Sequence, residues 1–194
     1  MNQILFKDKM GQDPFDVQKK DLQHKTKKGI DFITAATFIW LLIYGIWNLD
    51  SPAFSKSIYT FMAGGILLPL AFAFSKLFKT QWKIKENPLQ PLGLWLNFAQ
   101  LIYFPFLFFL LYRNPDYFIM GYAIITGAHL FPYAWLYDEI GYAVASPIIA
   151  LGALIIAFQW NYEGITIIPL FTAVILLMLA VYLFYKNQRL VKYQ

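Results

Sequence analysis

Apolar residues run along this chain in six long stretches: 32–49, 58–75, 94–112, 117–137, 142–160 and 165–185. None of the 16 Lys and Arg or 11 Asp and Glu residues lies inside any of them. A charge-free apolar helix of about 18 residues or more crosses the ~30 Å hydrocarbon layer of a bilayer. The pattern therefore predicts an all-α polytopic transmembrane bundle with six spans. Residues 1–28 read as a basic tail, 29–186 as one six-helix transmembrane domain, and 187–194 as a second tail. The first stretch follows a long charged segment and has no small-residue cleavage site after it, so it reads as a span and not as a signal peptide.

Composition sharpens this picture. The chain is 59% hydrophobic and 14% charged, against about 25% charged in ordinary soluble domains. That excludes a soluble enzyme, a nucleic-acid binder and a disordered chain. Seven basic residues precede the first stretch, four follow the second (Lys76, Lys79, Lys83, Lys85) and three follow the sixth (Lys186, Arg189, Lys192). The other side holds only Lys56 and Arg113. Basic residues stay on the cytoplasmic side, so both termini are predicted to be cytoplasmic, in a multi-pass protein of the plasma or inner membrane. Attraction to anionic membrane lipid accounts for the net charge of +5 without a nucleic-acid partner. Trp47, Trp82, Trp95, Trp135 and Trp160 fall at or near span ends, where amphipathic rings prefer the headgroup level. There is no cysteine, hence no disulfide and no thiolate chemistry.

Local signals add detail. Asp13-Pro14 reads as a helix cap followed by proline at the first helical position. The helix it opens would turn Phe15, Leu22 and Val17 to the membrane surface, with Lys19, Lys20 and Lys25 in water, while His24 is solvated. Pro69, Pro105, Pro132, Pro147 and Pro169 lie inside spans and argue against a straight bundle. In the fifth span Ser146, Ala150, Ala153 and Ala157 make a stripe of small residues suited to close helix packing.

The candidate site rests on polar residues inside the spans. Tyr122, Thr126, His129 and Tyr133 fall within an arc of about 60° at 100° per residue. The third span offers Asn97, Gln100 and Tyr103, and the first Thr34, Thr37, Tyr44 and Asn48. Polar groups in hydrocarbon turn toward each other or toward water. The first, third and fourth spans are therefore predicted to face one another around a polar cavity open to the cytoplasm, rimmed by Asp31, Asp138 and Glu139. His129, Tyr133, Asn97, Gln100, Thr126, Tyr122 and Thr37 are the candidate ligand-binding residues, with Gln100 or Asn97 as the direct partner of His129. One intramembrane histidine is too few for a zinc or di-iron site, and no serine has a base beside it, so no metal, cofactor or catalytic residue is assigned.

Two runs, Lys85-Glu86-Asn87-Pro88-Leu89 with Leu92-Gly93 and Asn97, and Gly127 through Tyr137, together with Lys27-Lys28-Gly29, carry a resemblance. They resemble a family of small six-helix bacterial membrane proteins, about 190 residues long, catalogued as a domain of unknown function. The resemblance implies a bacterial membrane protein and brings no reaction or ligand with it. Three readings follow from the residues. The first is binding or transport of a small amphiphile or lipid, the second a membrane enzyme acting on lipid at the cytoplasmic face, the third an accessory protein. Membrane lipid is the expected partner, and oligomeric state is not legible.

Overall fold

The computed structural model describes residues 13–159 and 162–192. The Asp13 carboxylate accepts a hydrogen bond from the Phe15 amide at 3.0 Å, so α1 (Pro14–Lys25) starts where the Asp-Pro pair predicts. A 3₁₀ turn, Lys27–Gly29, leads into α2 (Ile30–Trp47). The second apolar stretch forms α3 (Ala53–Gly65) and α4 (Leu67–Phe78), and the third forms α5 (Gln90–Leu101) and α6 (Phe104–Arg113). A 3₁₀ turn, Pro115–Tyr117, precedes α7 (Phe118–Tyr137). Then come α8 (Ile140–Gln159), the single turn α9 (Tyr162–Ile165) and α10 (Ile168–Lys192). No strand occurs among the described residues.

Two of the five intramembrane prolines divide their stretches. Pro69 has no amide hydrogen for the Gly65 carbonyl, and the chain breaks between α3 and α4 at Ile66. Pro105 likewise cannot serve Leu101, and α5 ends there. Pro132 and Pro147 sit within unbroken α7 and α8. Pro169 stands in the first turn of α10, where its missing donor costs nothing. The sixth stretch departs most from its predicted bounds: α10 starts at Ile168 and runs on to Lys192, beyond the domain limit at 186.

Five helical segments are long and apolar enough to cross a membrane: Lys27–Trp47, Ala53–Phe78, Gln90–Arg113, Ile140–Gln159 and Ile168–Gln188. The remaining long helix, α7, has 20 residues and no charge but carries most of the candidate polar residues. It packs most extensively of all, against α8. Further seams join α2 to α10, α2 to α4, and α8 to α10. The small-residue stripe is part of the α7–α8 seam. A Cβ on Gly127 would lie 2.9 Å from the Ala150 nitrogen and the Ser146 carbonyl oxygen, so the backbones meet there. Only glycine permits that approach.

Large apolar side chains cover the outside, among them Leu68, Trp95, Ile102, Phe131, Phe158 and Met178. In water such a surface would drive aggregation. Two residues near the ends of the first two apolar stretches are buried in the protein. Trp47 is 2% exposed and donates its indole N–H to Thr60 Oγ1 at 3.0 Å, while Lys56 is buried and donates to the Trp47 carbonyl at 3.1 Å. The indole is satisfied within α3 and the ammonium by the end of α2, which removes their need for water. Trp160 lies outside the described residues.

Candidate functional site

The structure brings some of the predicted residues together and satisfies others where they stand. Gly93 faces α7, where a Cβ on it would be 4.0 Å from Leu136. Tyr133 donates its hydroxyl to the Gly93 carbonyl at 3.2 Å, and the Asn97 amide donates to the same oxygen at 3.1 Å. The His129 ring meets the Tyr133 ring edge-on at 5.2 Å. Among the described residues no hydrogen bond joins His129 to Gln100 or Asn97, so that expected pairing is not formed. The Asn97 amide donates to its own helix instead.

The hydroxyls follow the same rule. Thr37 donates to the Ile33 carbonyl at 2.9 Å and Thr126 to the Tyr122 carbonyl at 2.9 Å, each one turn back along its own helix. Thr34 and Asn48 do likewise. Tyr122 belongs to an aromatic cluster with Trp40, Phe61, Phe104 and Phe118, away from His129. None of the seven candidates borders either of the two clefts described below. Every buried side-chain nitrogen and oxygen among the described residues has a partner.

The densest polar cluster lies instead at the end of the bundle carrying α1 and the C-terminal part of α10. Lys27, Lys28 and Gly29 all have left-handed backbone, with φ of 46°, 57° and 73°. Such a run costs roughly 1–2 kcal/mol for each non-glycine residue, so it persists only when its surroundings hold it. They do so from three distant places. The Tyr142 hydroxyl donates to the Lys28 carbonyl at 2.6 Å, and the Asn187 amide donates to the Lys27 carbonyl at 2.9 Å. The Lys28 ammonium pairs with Glu139 Oε1, both side chains being buried. Glu139 Oε2 in turn accepts from the Tyr182 hydroxyl at 2.8 Å and has Lys186 Nζ 4.0 Å away. Rings of Tyr133, Tyr137 and Tyr142 pack beside this turn at 5.6–6.1 Å.

A second arm grips the loop after α4. Asp31 is 2% exposed, and its Oδ2 accepts from Thr80 Oγ1 at 2.6 Å and Trp82 Nε1 at 2.7 Å. Trp82 also stacks on Phe32 at 5.1 Å. Further out, buried Asn87 donates to the Gln18 carbonyl and to Asp21, tying the loop to α1. Hydrogen bonds from Lys25 and Asn87 hold the Asp21 carboxyl below its ordinary 3.8. Its contribution is therefore present above that pH and is lost on acidification. The adjoining face of α1 reaches α7: Phe15 meets Trp135 at 6.0 Å, Lys19 Nζ sits 4.6 Å over the same indole, and Leu22 is buried. The helix is docked on the bundle end, with Phe15 and Val17 left exposed.

Two clefts open near this end. One, of about 320 Å³, lies between the α7–α8 turn and α10 and is bordered by Asp138, Glu139, Ile140, Ala143, Tyr182 and Lys186. The other, of about 340 Å³, is a mainly apolar groove between α2 and α10, with Ile30, Phe78, Val181 and Phe184 in its walls. Among the described residues no group of three His, Asp or Glu side chains is placed to hold a metal ion. The first cleft offers a carboxylate floor, a phenol and an ammonium, which suits recognition of a charged head. The sequence reading placed Asp138 and Glu139 at a rim but assigned them no contact. Their position between two charge-free spans was the available signal. Lys28 stood in the Lys27-Lys28-Gly29 run, while Tyr142 and Tyr182 had no signal beyond their place in the spans.

No curated protein and no solved structure matches the chain. A protein-family model does match, over residues 15–186, and it takes in every contact described above except the Asp13 cap and the Asn187 bond. The chain belongs to that family, a family of unknown function (DUF7010).

Proposed function

We propose that this chain is a six-span integral membrane protein with both termini cytoplasmic, which binds the polar head of a lipid or small amphiphile in the cytoplasmic half of the bilayer. The observation that carries the reading is the cleft of about 320 Å³ between the α7–α8 turn and α10, open at the basic end of an otherwise apolar bundle. Its volume is at the low end for ligand sites, enough for a headgroup with the acyl chains left outside. The charge asymmetry of the loops puts this end in the cytoplasm, and the charge-free α7 supplies the sixth span. Buried ionisable residues are expensive to keep charged, and Lys28, Asp31 and Glu139 are three of them, gathered at this end of the bundle. The site thereby moves from the face of His129 to the end of the bundle, about two turns along α7.

Ligand-dependent thermal unfolding of the detergent-purified protein tests this. A ligand that binds only the folded state at a hundred times its dissociation constant adds about 2.7 kcal/mol, so a total polar lipid extract should raise the midpoint with dose. A second reading, an accessory protein whose polar groups only hold helices together, is favoured by the bonding of Thr37, Thr126 and Asn97 to their own helices. A midpoint indifferent to every lipid fraction would select it.

A further inference from the structure

The charges around the α8–α10 cleft are arranged in a way that selects among headgroups. Glu139, its floor, is 3% exposed and already matched: one oxygen takes Lys28 and the other takes the Tyr182 hydroxyl. That leaves two unspent charges at the lips. Lys186, on α10, is about half exposed, and its one ion-pair contact among the described residues is the 4.0 Å approach to Glu139. Asp138, on the α7–α8 turn, is exposed and makes no ion pair or side-chain hydrogen bond among the described residues. A cation held only by a long 4.0 Å approach to Glu139 and an anion with no ion pair among the described residues therefore border one cleft, Lys186 from α10 and Asp138 from the α7–α8 turn, over a carboxylate already bonded to Lys28 and Tyr182. An anionic headgroup would meet Asp138, and a purely cationic one would meet Lys186. A ligand carrying both signs meets neither penalty. Ile140, 68% exposed, and Ala143 continue the wall along α8 into the apolar outer surface, which is where acyl chains would run.

Resting on the lipid-binding reading above, we propose that this cleft takes the headgroup of a phospholipid bearing a phosphate and a primary ammonium, with Lys186 on the phosphate and Asp138 on the ammonium. A primary ammonium donates charge-assisted hydrogen bonds to a carboxylate, whereas a quaternary one has no hydrogen to donate. The cleft should therefore prefer ethanolamine over choline headgroups.

The test uses the full chain in detergent with short-chain phosphatidylethanolamine, phosphatidylcholine and phosphatidylglycerol, and with soluble phosphoethanolamine. Thermal midpoint and native mass spectrometry of retained lipid are the two readouts. The ethanolamine lipid should bind most tightly. Asp138→Asn, which keeps a residue tolerant of the left-handed φ of 51° there, should abolish the preference over choline. Lys186→Gln should weaken both zwitterionic lipids about tenfold, the effect of losing one charge-assisted contact. Both positions are exposed, so the unliganded midpoint reports whether the fold is intact. Equal or tighter binding of phosphatidylglycerol, or a preference that survives both variants, overturns this inference and leaves lipid binding standing. Stabilisation by soluble phosphoethanolamine as strong as by the lipid overturns the lipid assignment alone. Indifference to all four probes overturns both.

Discussion

Gly29 shows how much one residue carries here. It stands at φ 73°, and a Cβ added to it would lie 3.0 Å from the Tyr137 ring and 3.2 Å from the hydroxyls of Tyr137 and Tyr142. Gly29→Ala should thus incur the left-handed penalty of roughly 1–2 kcal/mol and also push Tyr142 away from the Lys28 carbonyl. A lowered thermal midpoint in detergent is the expected outcome, and a wild-type midpoint would show that the turn relaxes without these contacts. The Lys27-Lys28-Gly29 run was recognisable in the sequence as a motif. Its use was not, because the Lys28 partner Glu139 lies 111 residues away, and Lys28 counted there only as one more basic tail residue. Trp47 and Lys56 show the same limit: their type and place near stretch ends do not tell that each finds a hydrogen-bond acceptor inside the fold.

At the scale of helices, the sequence signals were the strong ones where the chemistry is local. The Asp13-Pro14 start of α1 and the break before Pro69 follow from one missing or one added hydrogen bond within a turn. The stripe Ser146, Ala150, Ala153, Ala157 was legible as packing because its spacing puts small residues on one face. The structure sets its Ser146–Ala150 part against α7, with Ala153 fully buried. Ala153→Leu should cost about 1–3 kcal/mol through over-packing, read as a lowered unfolding midpoint. Leu151→Ala, at a 58% exposed position on the same helix, should stay near wild type. Equal midpoints for the two variants would place the stripe on the outer surface. The polar faces say less at this same scale. The threonines at 34, 37 and 126 do share faces, but each spends its hydroxyl one turn back on its own helix.

For the whole molecule the test is topological. Cysteine placed at Asp50 or Arg113, both exposed, should react with an impermeant reagent added outside the cell. Cysteine at Lys83 or Gln188, also exposed, should not. Lys56 is unsuitable as a reporter because it is buried. Outside labelling at Lys83 would reverse the orientation. The sequence by itself determined the helical class, the apolar stretches, the proline positions and the charge imbalance between the two ends. Each depends on residues within one helix or on a simple count. The tertiary structure alone decided which polar groups meet. A hydroxyl in a helix has two outlets, the carbonyl one turn back or a group on a neighbouring helix, and the sequence is the same for both. Local bonding disposed of most such groups within the spans. Contacts spanning 49 to 160 residues gathered Asp31 with Thr80, Lys28 with Glu139 and Lys27 with Asn187 at one end of the bundle. Tertiary packing alone brings such pairs together, because residues this far apart in the chain meet only where different helices and loops converge.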